Sequence, residues 1–221
     1  MSSPLTRAAR VAETQFVAPR LIRIALEGPD VMAMRPYIPG QEIAVDVGSD
    51  IRRKYSAHTV DFARGRIELL VYLHGSGPGA DWASRIRVGD GVRFSDFRGS
   101  QIVMTPGVHD AVFFGDETAI AAFAAIHRVS GGRVWIEGEE DIAAMLEAAE
   151  VPFTGVRRGS PPPLELARGI HATSRASIYI AGSAALVRDL RDILLNHGVD
   201  PARLRSKAFW GKPRREHALV A

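Results

Sequence analysis

Hydrophobic positions recur every second residue through the first half of this chain, and in short blocks separated by helical stretches through the second. Ile22, Ile24 and Leu26 fall on one face of an extended segment at 21–27, which Gly28-Pro29-Asp30 turns. Pro39-Gly40 leads into an alternating run at 42–47. Another run sets Tyr55, Ala57 and Thr59 against Ser56, His58 and Val60, and Ala63-Arg64-Gly65 turns the chain into 67–73. A short helix is expected over 81–87, stopped by Gly89-Asp90-Gly91 before a last strand at 92–94. Short strands at this spacing predict a small closed barrel, six-stranded and antiparallel in Greek-key order, over residues 1–107.

The period changes near Pro106-Gly107. Apolar strands at 111–115, 133–137, 151–156, 177–182 and 206–210 alternate with helices expected over 118–129, 142–150, 163–169 and 184–196. That alternation predicts an α/β domain with a five-stranded, mostly parallel sheet over 108–221. The fold class is therefore β followed by α/β.

Composition narrows the chemistry. Apolar residues make up 46% and charged residues 24% of the 221, as in a globular protein, and no apolar run approaches the ~18 residues of a membrane span. There is no cysteine, so disulfides, thiolate metal sites and cysteinyl iron–sulfur clusters are excluded, and redox chemistry needs an organic cofactor. The seven histidines show no metal-ligand spacing, and no protein-bound metal is expected. The formal charge is +3, with basic residues scattered except at Arg52-Arg53-Lys54, Arg157-Arg158 and Lys212-Arg214-Arg215. Local anion binding fits that pattern better than a nucleic-acid groove.

Arg53-Lys54-Tyr55-Ser56 places a cation, a flat ring and a hydroxyl within a few residues of one strand. Such a strand suits a planar cofactor with a phosphate tail: arginine forks the pyrophosphate, tyrosine stacks and serine hydrogen-bonds a ring heteroatom. An ordinary half-exposed barrel strand has the same pattern. His74-Gly75-Ser76-Gly77-Pro78 leaves a strand for a helix, and its glycines permit close backbone approach by an anion, as any Gly-rich turn would. Gly115-Asp116-Glu117-Thr118 is the first strand-to-helix turn of the second domain, where such sheets bind nucleotides. Its acids serve equally well as helix caps. Ala181-Gly182-Ser183 is a further turn that does not complete a nucleophile elbow. The tail from Lys207 through Phe209 and Trp210 reads either as core aromatics or as a ring-and-charge lining for a ligand.

These stretches, in this order, resemble the siderophore-interacting protein family, FAD-dependent ferric-siderophore reductases of the ferredoxin-reductase-like superfamily. Arg53-Lys54-Tyr55-Ser56 matches the flavin motif, His74 to Pro78 with Trp82-Ala83 the next signature, and Asp116-Glu117-Thr118-Ala119 a D-E-T-A element. Ala181-Gly182 and Phe209-Trp210 match the last landmarks. His58 stands where a second arginine is usual, and Ser183 where A-G-E is common.

The resemblance implies a role for each position. Arg53 would bind the FAD pyrophosphate, Tyr55 would pack on the isoalloxazine and Ser56 would bond near N5 or O4. His74, Gly75 and Gly77 would line the diphosphate side, with His58 on the phosphate side, Ser76 a cofactor-binding candidate in the same stretch, and Trp82 supporting the adenine end or its helix. Gly115, Thr118, Ala181 and Gly182 would edge the NAD(P)H cleft, and Trp210 is a further cofactor-binding candidate. The implied reaction carries electrons from NADH or NADPH through FAD to a ferric siderophore and releases Fe(II), in a cytoplasmic monomer with no nucleic-acid partner. No catalytic residue is singled out. A general NAD(P)H:flavin oxidoreductase serving a partner protein, or a flavin-fold module without catalysis, are the alternatives.

Overall fold

The computed structural model describes residues 5–34, 36–99, 101–109, 111–139, 141–159 and 176–211. The first half closes a six-stranded barrel in the order β1-β2-β5-β4-β3-β6, antiparallel throughout. The strands are β1 (Arg7–Ala18), β2 (Leu21–Glu27), β3 (Glu42–Asp46), β4 (Arg52–Asp61), β5 (Arg66–Tyr72) and β6 (Gly91–Phe94), with helices α1 (Pro29–Met32) and α2 (Pro78–Arg85) between them. The long β1 is not signalled by the sequence pattern, because Arg7 to Gln15 is mixed in polarity and only Ala9 and Val11 are buried in that stretch. Helix α2 starts three residues earlier than expected, because a proline at its first position loses no helical hydrogen bond.

Ile22, Ile24 and Leu26 point into the barrel with Ile67, Leu69 and Phe94, as their period-2 spacing requires. The opposite face of the same strands is also partly buried. Leu21 and Leu70 pack into a second cluster with Phe113, Ile120, Phe123 and Ile126, which joins the barrel to the second domain.

That domain contains β7 (Ala111–Asp116), a 3-10 turn (Glu117–Ala119), α3 (Ile120–Ser130), β8 (Gly132–Gly138), α4 (Ile142–Ala148), β9 (Phe153–Arg157), β10 (Ile178–Ser183), α5 (Ala184–Asn196) and β11 (Leu204–Trp210). The sheet order is β11-β10-β7-β8-β9, and all its pairings are parallel. Helix α3 is buried continuously from Ile120 to Ile126 because it lies against both β4 of the barrel and β7 of the sheet, which explains the alanine-rich, uniformly apolar run over those residues. Helix α5 is amphipathic by contrast and buries Leu190 and Leu194 on the other sheet face. The helix expected over 163–169 lies outside the described residues. Among the described residues, no helix is long and apolar enough to cross a membrane.

The connection between the two halves is closely packed. Met104 donates its backbone N–H to the Pro39 carbonyl at 2.8 Å, and the Thr105 N–H reaches the Tyr179 hydroxyl at 2.9 Å. Chain order in the sheet runs outward in both directions from β7, so the crevice beside the carboxyl ends of β7 and β10 is a topological switch point. Open α/β sheets bind ligands there. The barrel presents β4 and β5 to that crevice.

Candidate functional site

Strand β4 carries Arg52, Arg53, Lys54, Tyr55 and Ser56 along one side of a cleft of about 700 Å³. Tyr72, the last residue of β5, and His74, Ser76 and Gly77 beyond it continue the lining, and Thr118, Lys207 and Phe209 come from the sheet domain. Tyr55 is fixed from behind. Its ring stacks on Trp82 of α2 at 5.6 Å, and its hydroxyl donates to the Gly79 carbonyl at 3.3 Å. Burial pushes the phenol above its ordinary range, so it remains a neutral ring. Gly79 permits this approach, since a Cβ there would sit 2.8 Å from the Tyr55 hydroxyl and 3.2 Å from Arg53 Cγ. Gly75 and Gly77 face open space, leaving their backbone accessible.

At the sheet end, the Asp116 carboxylate is fully buried and gathers four donors. It accepts from the Thr118 N–H at 3.0 Å and hydroxyl at 2.5 Å, from the Ser183 N–H at 2.7 Å and from Trp210 Nε1 at 2.8 Å. Asp116 therefore caps the turn after β7 and ties together the ends of β7, β10 and β11. Gly182 lies beside it at φ +142, where a Cβ would meet the carboxylate at 2.6 Å. Ser183 caps α5 by accepting the Leu186 N–H at 3.1 Å. Gly115 and Ala181 are paired across the β7–β10 ladder beneath these turns. Trp210 also stacks on His74 at 5.9 Å, linking this corner to the barrel.

A second cleft of about 910 Å³ opens beside the ends of β8 and β9, lined by Arg20, Glu139, Asp141, Arg157 and Arg158 among others. Its charges are largely matched. Arg20 bonds Asp141 at 2.9 Å, and that guanidinium holds the carboxyl below its usual range. Arg158 reaches the buried Glu117 and, at 3.3 Å, Glu137. Tyr72 donates to Glu117 at 3.4 Å, and burial together with that carboxylate pushes its phenol up to about 12.

One predicted position lies elsewhere. His58 does not line the cleft and is only 2% exposed. It occupies a bulge, since β4 advances two residues from Ala57 to Thr59 while β5 advances one from Leu69 to Glu68. A bulge re-aims the extra side chain. The imidazole Nε2 meets Arg128 of α3 at 2.8 Å, and the same guanidinium bonds the His58 and Ala149 carbonyls. Burial, with Arg128 and Arg23 nearby, lowers the imidazole to about 3. His58 is thus a neutral acceptor in the seam between barrel and sheet, and the expectation that it faces a phosphate is corrected.

Residues 108–213 match the pattern described as siderophore-interacting protein, and residues 46–101 match the siderophore-interacting FAD-binding domain. The chain belongs to the siderophore-interacting protein family. As a member of that family it shares its fold with a siderophore utilization protein from T. fusca, at 22% identity and a TM-score of 0.72, with 93% of this chain and 92% of that one covered. The siderophore-interacting protein from Acinetobacter baumannii aligns at 20% identity and 0.69, covering 92% and 89%. The ferredoxin reductase in carbazole 1,9a-dioxygenase aligns at 18% identity and 0.77, covering 92% and 69%. None of the curated proteins matches.

Of the positions singled out from sequence, Arg53, Tyr55, Ser56, His74, Ser76, Gly77 and Thr118 meet around the first cleft. Trp82 and Trp210 support it by stacking on Tyr55 and His74. Gly75 adjoins it, and Gly115, Ala181 and Gly182 lie at the neighbouring sheet end. Sequence reasoning missed Glu42 and Tyr72, both of which line the cleft. Glu42 stands opposite Ser56 in the β3–β4 ladder, so pairing the two strands is the step that would have found it. Tyr72 is two residues before His74 at the end of its strand, and only its exit position hinted at it.

Proposed function

We propose that this protein binds FAD in the first cleft and passes electrons from NADH or NADPH to a ferric siderophore, releasing Fe(II). The supporting observation is that Arg53, Tyr55 and Ser56 of the barrel face the same cavity as Thr118 and Phe209 of the sheet. A volume of about 700 Å³ is within the usual range for ligand clefts, about 300–1,000 Å³. Arg52, Arg53 and Lys54 supply cations, the backbone at Gly75 and Gly77 is open, and Tyr55 offers a ring held in place by Trp82. These features fit a flat ring joined to a pyrophosphate. Residues 1–107 would hold FAD, and residues 108–221 would hold the pyridine nucleotide beside Gly115, Thr118, Ala181 and Gly182.

FAD, when bound, supplies the conversion of a two-electron donor into one-electron steps that iron accepts. The chain's own residues bind and orient. Arg53 anchors the diphosphate, Tyr55 limits ring tilt, Ser56 offers a hydroxyl, and Trp210, held by Asp116 and His74, borders the route of the nicotinamide. Siderophores bind Fe(III) through hard oxygen donors much more tightly than Fe(II), so reduction frees the metal.

The test is anaerobic. FAD-loaded protein is mixed with NADH or NADPH, and a ferric hydroxamate or catecholate is then added with an Fe(II) trap. The flavin colour should bleach with the nucleotide and return with the chelate as trapped Fe(II) appears. Bleaching with no Fe(II) from any chelate would replace this reading with a general NAD(P)H:flavin oxidoreductase.

A further inference from the structure

Inside the cleft, one ion pair joins the two domains. Lys207 of β11 places Nζ 2.5 Å from Glu42 Oε1 of β3, and the two side chains are only 18% and 8% exposed. Glu42 is rigidly set: its backbone exchanges hydrogen bonds with Arg98 at 2.8 Å in both directions, and it stands opposite Ser56 in the ladder. Among the described residues lining the cleft, Glu42 is the acid and Lys207 is the ammonium that comes from the sheet. Arg52, Arg53 and Lys54 are exposed and lie on the barrel strand itself.

Burying such a pair is poorly repaid as a source of stability, because desolvating two ions offsets most of their attraction. A shielded charge on the wall of a ligand cleft has a different use. It acts on the ligand through a low dielectric, where each charge counts for more than it would in water. Accepting a hydride adds two electrons and one proton, so a neutral oxidised ring becomes an anion until a further proton arrives from solvent. A fixed cation close by favours that anion, and a fixed carboxylate opposes it.

We propose that Lys207 and Glu42 set the reduction potential of the bound flavin, Lys207 raising it and Glu42 restraining the increase. Lys207 is a tuning residue, contributed by the nucleotide-side domain to the flavin-side cleft. The inference rests on the FAD reading above. It goes further in assigning opposite electrostatic roles to two residues that pair with each other.

The experiment is a potentiometric titration of FAD-loaded full-length protein at neutral pH, for wild type, Lys207→Gln, Glu42→Gln and Lys207→Arg, with the FAD dissociation constant of each measured first. Lys207→Gln should reduce the preference for reduced over oxidised flavin about tenfold, a fall of about 30 mV for a two-electron couple. Glu42→Gln should shift it the opposite way by a similar factor, and Lys207→Arg should stay at the wild-type value. A pair that only clamps the domains would give potentials moving in the same direction in both Gln variants, or not at all, and either result overturns the inference while leaving the FAD reading intact. If Lys207→Gln does not fold, Glu42→Gln and Lys207→Arg still decide: failure of Glu42→Gln to raise the potential defeats the proposal. A wild-type chain that takes up no FAD overturns the underlying reading and this inference together.

Discussion

Arg53 lies on β4 and Arg128 beside it, and their surroundings differ in the respect that matters most to a ligand. Arg53 is exposed, lines the cleft and donates locally, to the carbonyl of the neighbouring Arg52 at 3.0 Å. Arg128 is committed. It spends its guanidinium on the His58 imidazole, the His58 carbonyl and the Ala149 carbonyl, bridging the barrel to the sheet domain. The seam is reinforced by Arg23 with Glu150 at 2.9 Å and Arg20 with Asp141 at 2.9 Å. One region holds donors whose partners lie within the fold, and the other presents cations to an open cleft. The seam ties the barrel to the sheet domain, and residues of both form the walls of the cleft.

The largest effect that separates the two regions is expected from pH. His58 titrates near 3 in the folded protein, below its ordinary value of about 6.5. The unfolded chain therefore takes up a proton that the folded chain refuses, and stability is full above pH ~6.5 and falls as the pH drops towards ~3. A shift of this size corresponds to roughly 5 kcal/mol over the whole window. Urea unfolding at a series of pH values should show a steeper acid loss for wild type than for His58→Gln, which keeps an acceptor for Arg128 but cannot titrate. Identical slopes would mean that His58 is not held neutral in the seam.

Next in size is Arg53→Ala. Losing a charge-assisted contact costs about 1.5–3 kcal/mol, so FAD affinity should weaken roughly 10- to 100-fold with the melting temperature unchanged. Arg128→Ala should do the converse. Three carbonyl or imidazole acceptors lose their partner, and about 1–2 kcal/mol of stability should go, moderated because water reaches the exposed side chain, while FAD affinity holds. If Arg128→Ala weakens FAD as much as Arg53→Ala does, the separation of cleft from seam is wrong. The smallest expected effect is Gly79→Ala, whose new methyl would press on the Tyr55 hydroxyl at 2.8 Å. Moving that ring should weaken FAD about fivefold by fluorescence titration, with little change in stability.

Much of this was legible in the residues. Period-2 alternation at Ile22, Ile24 and Leu26 gave strand and inward face together, and the change of period near Pro106 separated barrel from sheet. Arg53, Tyr55 and Ser56, which line the cleft, stand out in the sequence because cation, ring and hydroxyl fall within one short run. His58 was misplaced because the resemblance to a family with a second arginine there implied a phosphate-side role, and the bulge that re-aims it is invisible to a two-residue period. β1 escaped because much of its length is polar or exposed, leaving little hydrophobic rhythm to read. Glu42 and Lys207 are 165 residues apart, and no local pattern reports a contact formed only when β3 and β11 close on one cleft. Asp116 was recognised as a cap, but its bonds to Ser183 and Trp210 depend on β10 and β11 lying beside β7.

The most direct test of the central claim, that the first cleft is the flavin site, is equilibrium dialysis of the purified chain against FAD, read by the visible flavin bands. The predicted result is saturable retention approaching one FAD per chain, weakened by Arg53→Ala and unaltered by Arg128→Ala. No retention by the folded wild-type protein at FAD concentrations of roughly tens of micromolar, equivalent to binding weaker than about −6 kcal/mol, would contradict it.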